Sequence, residues 1–399
     1  MRQTLDIRSS TKVMPYAWVI LVVIYLASVV APFNQFKVPP IMPVLLDVFE
    51  ISLTQAGLLM SVLAFIGLLL ALPAGIILER FGPKTTALIA LGSMAAGGAV
   101  GAVSGNFSLL LLSRVIEGVG IGLIGVAAPA TIAMWFPPEK QGTPMGIWAT
   151  WVPVGTVAMY NLAPQLAGSM GWQAVWWLGV AFALVMVFFS WMLVRRPPVK
   201  NPGGLYNPEK LDLRKALANR DIWLLALLFG CFNLALVSLG TYYPTFLNEV
   251  RGYPLGQASF IASIGTMVVI LSAPLAGLFS DRIGSRRMVF SVPFLIIAVL
   301  FLFPFRVVGW PLIAILIAQG FATGAIPTAV FAAAPEIMRK PQWAGLGLAA
   351  ILVGQNLGQL VGPVLFGVFV NQLGWVMAGY LMIPVCLLGF VAGWLIKIR

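Results

Sequence analysis

The sequence contains no histidine and only two cysteines, Cys231 and Cys386, in 399 residues. The commonest general base and a frequent zinc ligand are therefore missing. Two cysteines far apart in apolar stretches build neither a disulfide framework nor a Cys/His metal site. Charge is equally scarce. Asp, Glu, Lys and Arg make up 9% of the chain while 60% is apolar, and the mean hydropathy is +0.98. A soluble domain carries about 25% charged residues, so a water-soluble fold is excluded. A membrane-embedded enzyme would need a converging nucleophile, base or metal site, and these residues offer none. No cofactor and no metal are implied, and the chain is not read as an enzyme.

What is present is a succession of apolar runs bounded by Gly, Pro or charge. They fall near 16–46, 53–78, 84–104, 107–134, 142–168 and 172–194, then 221–248, 256–280, 286–305, 310–336, 343–371 and 375–396. At about 20 residues per crossing, these are twelve transmembrane helices, termed spans 1 to 12. Span 1 is expected to run on past Pro39 and Pro40. One long polar break, 195–220, carries seven Lys/Arg and a short amphipathic surface helix at 208–218. It divides the chain into a six-helix bundle at 1–194, a linker at 195–220 and a second bundle at 221–399.

The net charge of +12 reads as topology rather than as nucleic-acid binding. With a cytoplasmic N-terminus, 20 of the 24 Lys/Arg fall on the cytoplasmic side. This positive-inside bias places both termini and the linker in the cytoplasm of a plasma (bacterial or archaeal inner) membrane. Met1 to Lys12 is read as a retained tail rather than a signal peptide.

The halves repeat. Gly75-x-x-x-Glu79-Arg80-Phe81-Gly82-x-Lys84 recurs as Gly277-x-x-x-Asp281-Arg282-Ile283-Gly284-x-Arg286, an offset of 202, and Glu117-Gly118 recurs as Gln319-Gly320 at the same offset. Two motifs in one register, an even number of helices apart, indicate parallel repeats about an axis along the membrane normal.

These residues resemble the major facilitator superfamily, whose first-loop motif is Gly-x-Leu-Ala-Asp-Arg-x-Gly-Arg-Lys, here with Glu79 for Asp. The resemblance implies an all-α fold of two six-helix repeats, a cavity lined by spans 1, 4, 7 and 10, and spans 3, 6, 9 and 12 toward lipid. It also implies that Gly75, Glu79, Arg80, Gly82, Lys84, Gly277, Asp281, Arg282, Gly284 and Arg286 form latches that close one conformation. The plainer reading of these charges is topology alone.

Polar residues inside a bilayer should face protein or water, and they follow that layout. Span 1 has Asn34, Gln35 and Lys37; span 4, Arg114 and Glu117; span 7, Asn233, Tyr242 and Tyr243; span 10, Gln319; span 11, Asn356 with Gln355 and Gln359; span 5, Tyr160, Asn161 and Gln165. Arg114 and Glu117, three apart, share a helix face and offset each other. They are either a substrate-orienting or coupling pair, or a neutralised structural pair. Lys37 either snorkels to the outer interface or faces the cavity, leaving it net positive and suited to a small anion.

The expected activity is secondary active transport of a small organic or inorganic anion by alternating access, with a proton or a counter-anion as candidate coupling partner and the monomer as working unit. The chain is loosely similar to cyanate and nitrate permeases and monocarboxylate exchangers. The rivals are a drug-efflux pump, suggested by 25 Phe and 13 Trp, and a transporter-like membrane sensor acting through the linker.

Overall fold

A computed structural model describes residues 13–71, 73–137, 140–195, 218–283, 285–338 and 344–397, without the side chains of 278–283 and 344–345. The described residues form helices and no strand. Span 1 is α1 (Pro15–Gln35), a single 3-10 turn (Pro39–Ile41) and α2 (Met42–Phe49). Span 2 is α3 (Leu53–Leu70) and the first turns of α4 (Pro73–Ala102), whose remainder is span 3. Span 4 is α5 (Phe107–Trp135), span 5 is α6 (Gly142–Trp148) with α7 (Trp151–Met170), and span 6 is α8 (Gln173–Leu193).

In the second half, span 7 is α9 (Arg220–Thr245) with a π turn (Phe246–Val250), span 8 is α10 (Leu255–Ile283) and span 9 is α11 (Arg286–Leu300). Spans 10 and 11 are α12 (Trp310–Met338) and α13 (Ala344–Leu373), and span 12 is α14 (Trp375–Tyr380) with α15 (Met382–Leu395). Ten of the described helical stretches are long and apolar enough to cross a membrane. Spans 5 and 9 fall short for different reasons: α7 has 20 residues but its apolar run is interrupted by Tyr160, Asn161 and Gln165, and α11 has only 15 residues.

Span 1 departs from the expected continuous helix. Proline has no N–H to give the preceding turn, so the Pro39-Pro40 pair stops α1 at Gln35, and the chain bends through Phe36 to Val38 before α2 begins. The linker helix expected at 208–218 lies outside the described residues except for Ala218, as does the tail Met1 to Lys12.

The apolar core is not shared evenly. One cluster joins the whole second half to the first half's residues far from the termini, such as Phe33, Ile41, Leu59, Met159 and Trp176. The other is built from the first half alone, on the side of the termini: Ile20, Leu91, Ile124 and Met186. The halves are thus cemented on the side away from the termini.

Several turns between successive spans require glycine. Gly171 and Gly374 turn spans 5 into 6 and 11 into 12 with φ of +83° and +80°, a pair at an offset of 203. Gly82 turns span 2 into span 3 with φ 76° and ψ 166°, a region that side chains other than hydrogen reach at about 1–3 kcal/mol. Gly82→Ala is therefore expected to destabilise the protein by about that amount in thermal unfolding. Gly75→Ala, with open space around its Cβ position and no positive φ, should leave the midpoint unchanged. Equal midpoints for the two variants would contradict this account of the turn.

Candidate buried charge site and inter-half seam

The site begins at the end of α1. Because Pro39 cannot donate, the Gln35 carbonyl has no helical partner, and Arg114 of α5 supplies one through Nη2 at 2.7 Å. Its Nη1 donates to the Asn34 carbonyl at 2.8 Å and to Glu117 Oε2 at 2.5 Å, and its Nε donates to the Leu59 carbonyl of α3 at 3.1 Å. Four of the five guanidinium N–H groups are thereby used. A cation at the carbonyl end of a helix is also favoured by the helix dipole.

Lys37 lies just beyond this cap. Its Nζ donates to Glu117 Oε1 and, at 3.2 Å, to Asn34 Oδ1, and it sits 4.7 Å above the Trp176 ring. Lys37, Arg114 and Glu117 are all 0% exposed. The expected pair is therefore a triad of two cations on one carboxylate, carrying net +1. This corrects the picture of Lys37 as a separate cavity cation: the bend after Gln35 turns it onto Glu117, 80 residues away.

Small residues make the room. A Cβ on Gly97 would fall 2.7 Å from Glu117 Cγ, one on Gly101 2.3 Å from Trp176 Nε1, and one on Gly179 2.2 Å from Asn34 Oδ1. Glycines of spans 3 and 6 thus let the charges sink between spans 1 and 4.

From the triad the hydrogen bonds continue across the halves. Gln35, whose carbonyl Arg114 holds, donates from Nε2 to Gln359 Oε1 at 3.3 Å. Gln359 donates to Asn233 Oδ1 at 2.9 Å, and Asn233 to the Phe229 carbonyl at 2.8 Å. Further out, the Tyr242 hydroxyl lies 2.8 Å from the carbonyls of both Leu53 and Pro363 and shares its proton between them. Tyr160 donates to the Gly240 carbonyl at 2.8 Å, Ser259 to the Pro40 carbonyl at 3.2 Å, and Asn371 to Thr54 at 3.1 Å. Asn161 reaches Ser263 at 3.4 Å. Every hydrogen bond between described residues of the two halves lies from mid-depth to the side away from the termini.

Asn34, Gln35, Lys37, Arg114, Glu117 and Asn233 are therefore brought into one network. Tyr242 belongs to the outer seam. Tyr243 lies elsewhere, donating to the Pro304 carbonyl at 2.9 Å inside the second half. Asn356 abuts Gly67 of α3, and Gln319 is buried with its Oε1 unpartnered. Sequence reasoning missed Trp176 beneath Lys37 and the Gly57–Gly367 slot around the Tyr242 hydroxyl, where added Cβ atoms would come within 2.4 and 2.6 Å.

Among the expected latch residues, Glu79 and Arg80 are exposed, and Arg80 lies 5.5 Å from the Phe81 ring. Lys84 donates to the Trp191 carbonyl at 2.6 Å, and Arg286 pairs with Glu336 at 3.2 Å. Gly277 sits beside Thr328. The side chains of Asp281 and Arg282, and Gly284, lie outside the described residues.

The model of the Major Facilitator Superfamily matches residues 24–316 and 256–399, and the chain belongs to that superfamily of membrane transporters. It is similar to the hexuronate transporter of Bacillus subtilis, 21% identical over 91% of this chain and 90% of that protein. A chloramphenicol resistance protein of Streptomyces lividans is 28% identical over 89% of this chain and 91% of its own. The probable nitrate/nitrite antiporter NarK1 of Thermus thermophilus is 26% identical over 61% and 56%. The fold matches a bacterial homolog of the human lysosomal transporter Spinster, solved in an inward-facing, unoccupied conformation, with TM-score 0.77 and 19% identity over 95% and 96% of the two chains.

The triad makes unequal demands on its members. Glu117→Gln leaves two buried cations without a counter-charge and should cost about 3–5 kcal/mol. Lys37→Met leaves the Arg114–Glu117 pair neutral and should cost clearly less. Chemical or thermal unfolding of the detergent-solubilised variants checks the order, and an equal or reversed ranking contradicts the assignment of Glu117 as the shared partner.

Proposed function

We propose that the protein is a secondary active transporter that moves a small organic or inorganic anion by rocker-switch alternating access. The observation that carries this reading is the net positive triad, the only intramembrane charge cluster among the described residues, linked through Gln35 to the amides at the seam. The relatives named for hexuronate and nitrate/nitrite support the same sign of substrate.

In this reading the substrate meets the amides Gln35, Asn233, Asn356 and Gln359 at mid-depth. Arg114 holds the end of α1 in place and Lys37 supplies the uncompensated charge. A unit charge about 8 Å away, at an effective dielectric of about 20, favours an anion by about 2 kcal/mol. The halves 1–194 and 221–399 rock about the seam, with the linker 195–220 between them. Closure away from the termini, with both termini cytoplasmic by the positive-inside count, makes the described conformation the inward-facing one in a plasma membrane. A proton or a counter-anion supplies the coupling, and a monomer suffices.

The second reading is drug efflux, favoured by the likeness to a chloramphenicol resistance protein.

A thermal-shift screen of the purified protein distinguishes the two. A ligand at 100 times its dissociation constant stabilises by about 2.7 kcal/mol. Glucuronate, nitrate or a sulfonate is expected to raise the midpoint, with affinity falling about thirty-fold in Lys37→Gln, the equivalent of the 2 kcal/mol above. A shift with chloramphenicol or hydrophobic cations alone, or anion binding indifferent to Lys37→Gln, would overturn the anion reading.

A further inference from the structure

The ends of α8 and α15 on the side of the termini are built alike. Lys84, at the start of span 3, donates to the Trp191 carbonyl in the last turn of α8 at 2.6 Å. Arg287, at the start of span 9, donates to the Trp394 carbonyl in the last turn of α15 and stacks 4.4 Å from its ring. Both the cation and the tryptophan recur at an offset of 203. The last carbonyls of a helix have no intrahelical partner, and at a lipid boundary a cation from the neighbouring span can supply the donor while matching the helix dipole.

Capping does not exhaust these side chains. Lysine has three donors, and only one is spent on Trp191. A second cation follows the same end of α8, two residues past Leu193: Tyr16 donates to the Leu193 carbonyl at 2.7 Å, and Arg195 lies 4.7 Å over the Tyr16 ring. No carboxylate bonded to Lys84 or Arg195 occurs among the described residues. At α15, by contrast, Arg286 is paired with Glu336, and Asp221 accepts from the backbone of Lys397. The surroundings are those of a bilayer rim: Trp191 is 64% exposed and Phe188 53%, and exposed tryptophan favours the headgroup level.

We propose that the end of α8 binds the phosphate of an anionic phospholipid headgroup, held by Lys84 and Arg195, with Trp191 seated at the headgroup level beside the acyl chains. The pseudo-equivalent end of α15 is the weaker site because one of its cations, Arg286, already has an acidic partner. The ligand class follows from charge complementarity at a lipid-facing rim, where Lys and Arg near the surface are attracted to anionic headgroups.

The test uses the full chain in mild detergent, titrated with phosphatidylglycerol or phosphatidylcholine and read by thermal midpoint and by lipid adducts in native mass spectrometry. Phosphatidylglycerol should raise the midpoint more than phosphatidylcholine and leave more adducts. That preference should shrink in Arg195→Gln, which removes no helix cap, and disappear in Lys84→Gln/Arg195→Gln. Arg251→Gln, on the opposite side of the molecule, should keep it. Equal responses to the two lipids, or a preference that survives in both Arg195→Gln and the double variant, would overturn the proposal. So would an equal stabilisation by inorganic phosphate or glycerol 1-phosphate, which would make the ligand a soluble phosphate.

Discussion

One carboxylate held between two cations, out of water and away from lipid headgroups, constrains much of the first half. Glu117 cannot be buried without a cation against it, and neither Lys37 nor Arg114 can be buried without Glu117. Satisfying them takes a bent span 1, whose terminal carbonyls at Asn34 and Gln35 accept from Arg114. It also takes glycines on spans 3 and 6 to admit the side chains. The bend that turns Lys37 inward also presents Gln35 to the other half. Charge burial, helix termination and the inter-half contact are thus one arrangement.

The repeat makes the asymmetry informative. At the offset of 202, Glu117 corresponds to Gln319, Arg114 to Leu316 and Lys37 to Leu239. The fold is duplicated and the charge is not. Contacts between the halves differ in kind from those inside the triad. Several are long, at 3.2 to 3.4 Å, and involve neutral amides and hydroxyls, each worth only about 1 kcal/mol net. Such a seam can part and re-form while the charged core of the first half stays intact, which is what a rocking mechanism asks of it.

Much of this was legible in the sequence. Apolar runs marked the crossings, and the repeated Gly-x-x-x-acid-Arg motif gave the parallel halves. The spacing of Arg114 and Glu117 announced a shared face, because three residues on a helix fix direction. The capture of Glu117 by Lys37 was not legible, since it depends on how far the chain bends after Gln35. Gly82 was singled out as a latch residue, but its positive φ became visible only in the backbone. Gln359 stands out in the sequence only as one polar residue of span 11, and its position between Gln35 and Asn233 follows from tertiary contact alone. Residue type and span assign Tyr242 to the cavity. Its slot between Gly57 and Gly367 is made by two other helices that no local pattern connects to it.

The central claim is that a net positive, internally satisfied charge cluster beside a separable seam serves an anion carrier. The most direct measurement is counterflow in proteoliposomes, with labelled glucuronate or nitrate outside and the same unlabelled anion trapped inside. The account predicts saturable accumulation above protein-free vesicles that is lost in Lys37→Gln. Labelled anion entering no faster than in protein-free vesicles, across carboxylates, sulfonates and nitrate, while a hydrophobic cation is transported, would contradict it.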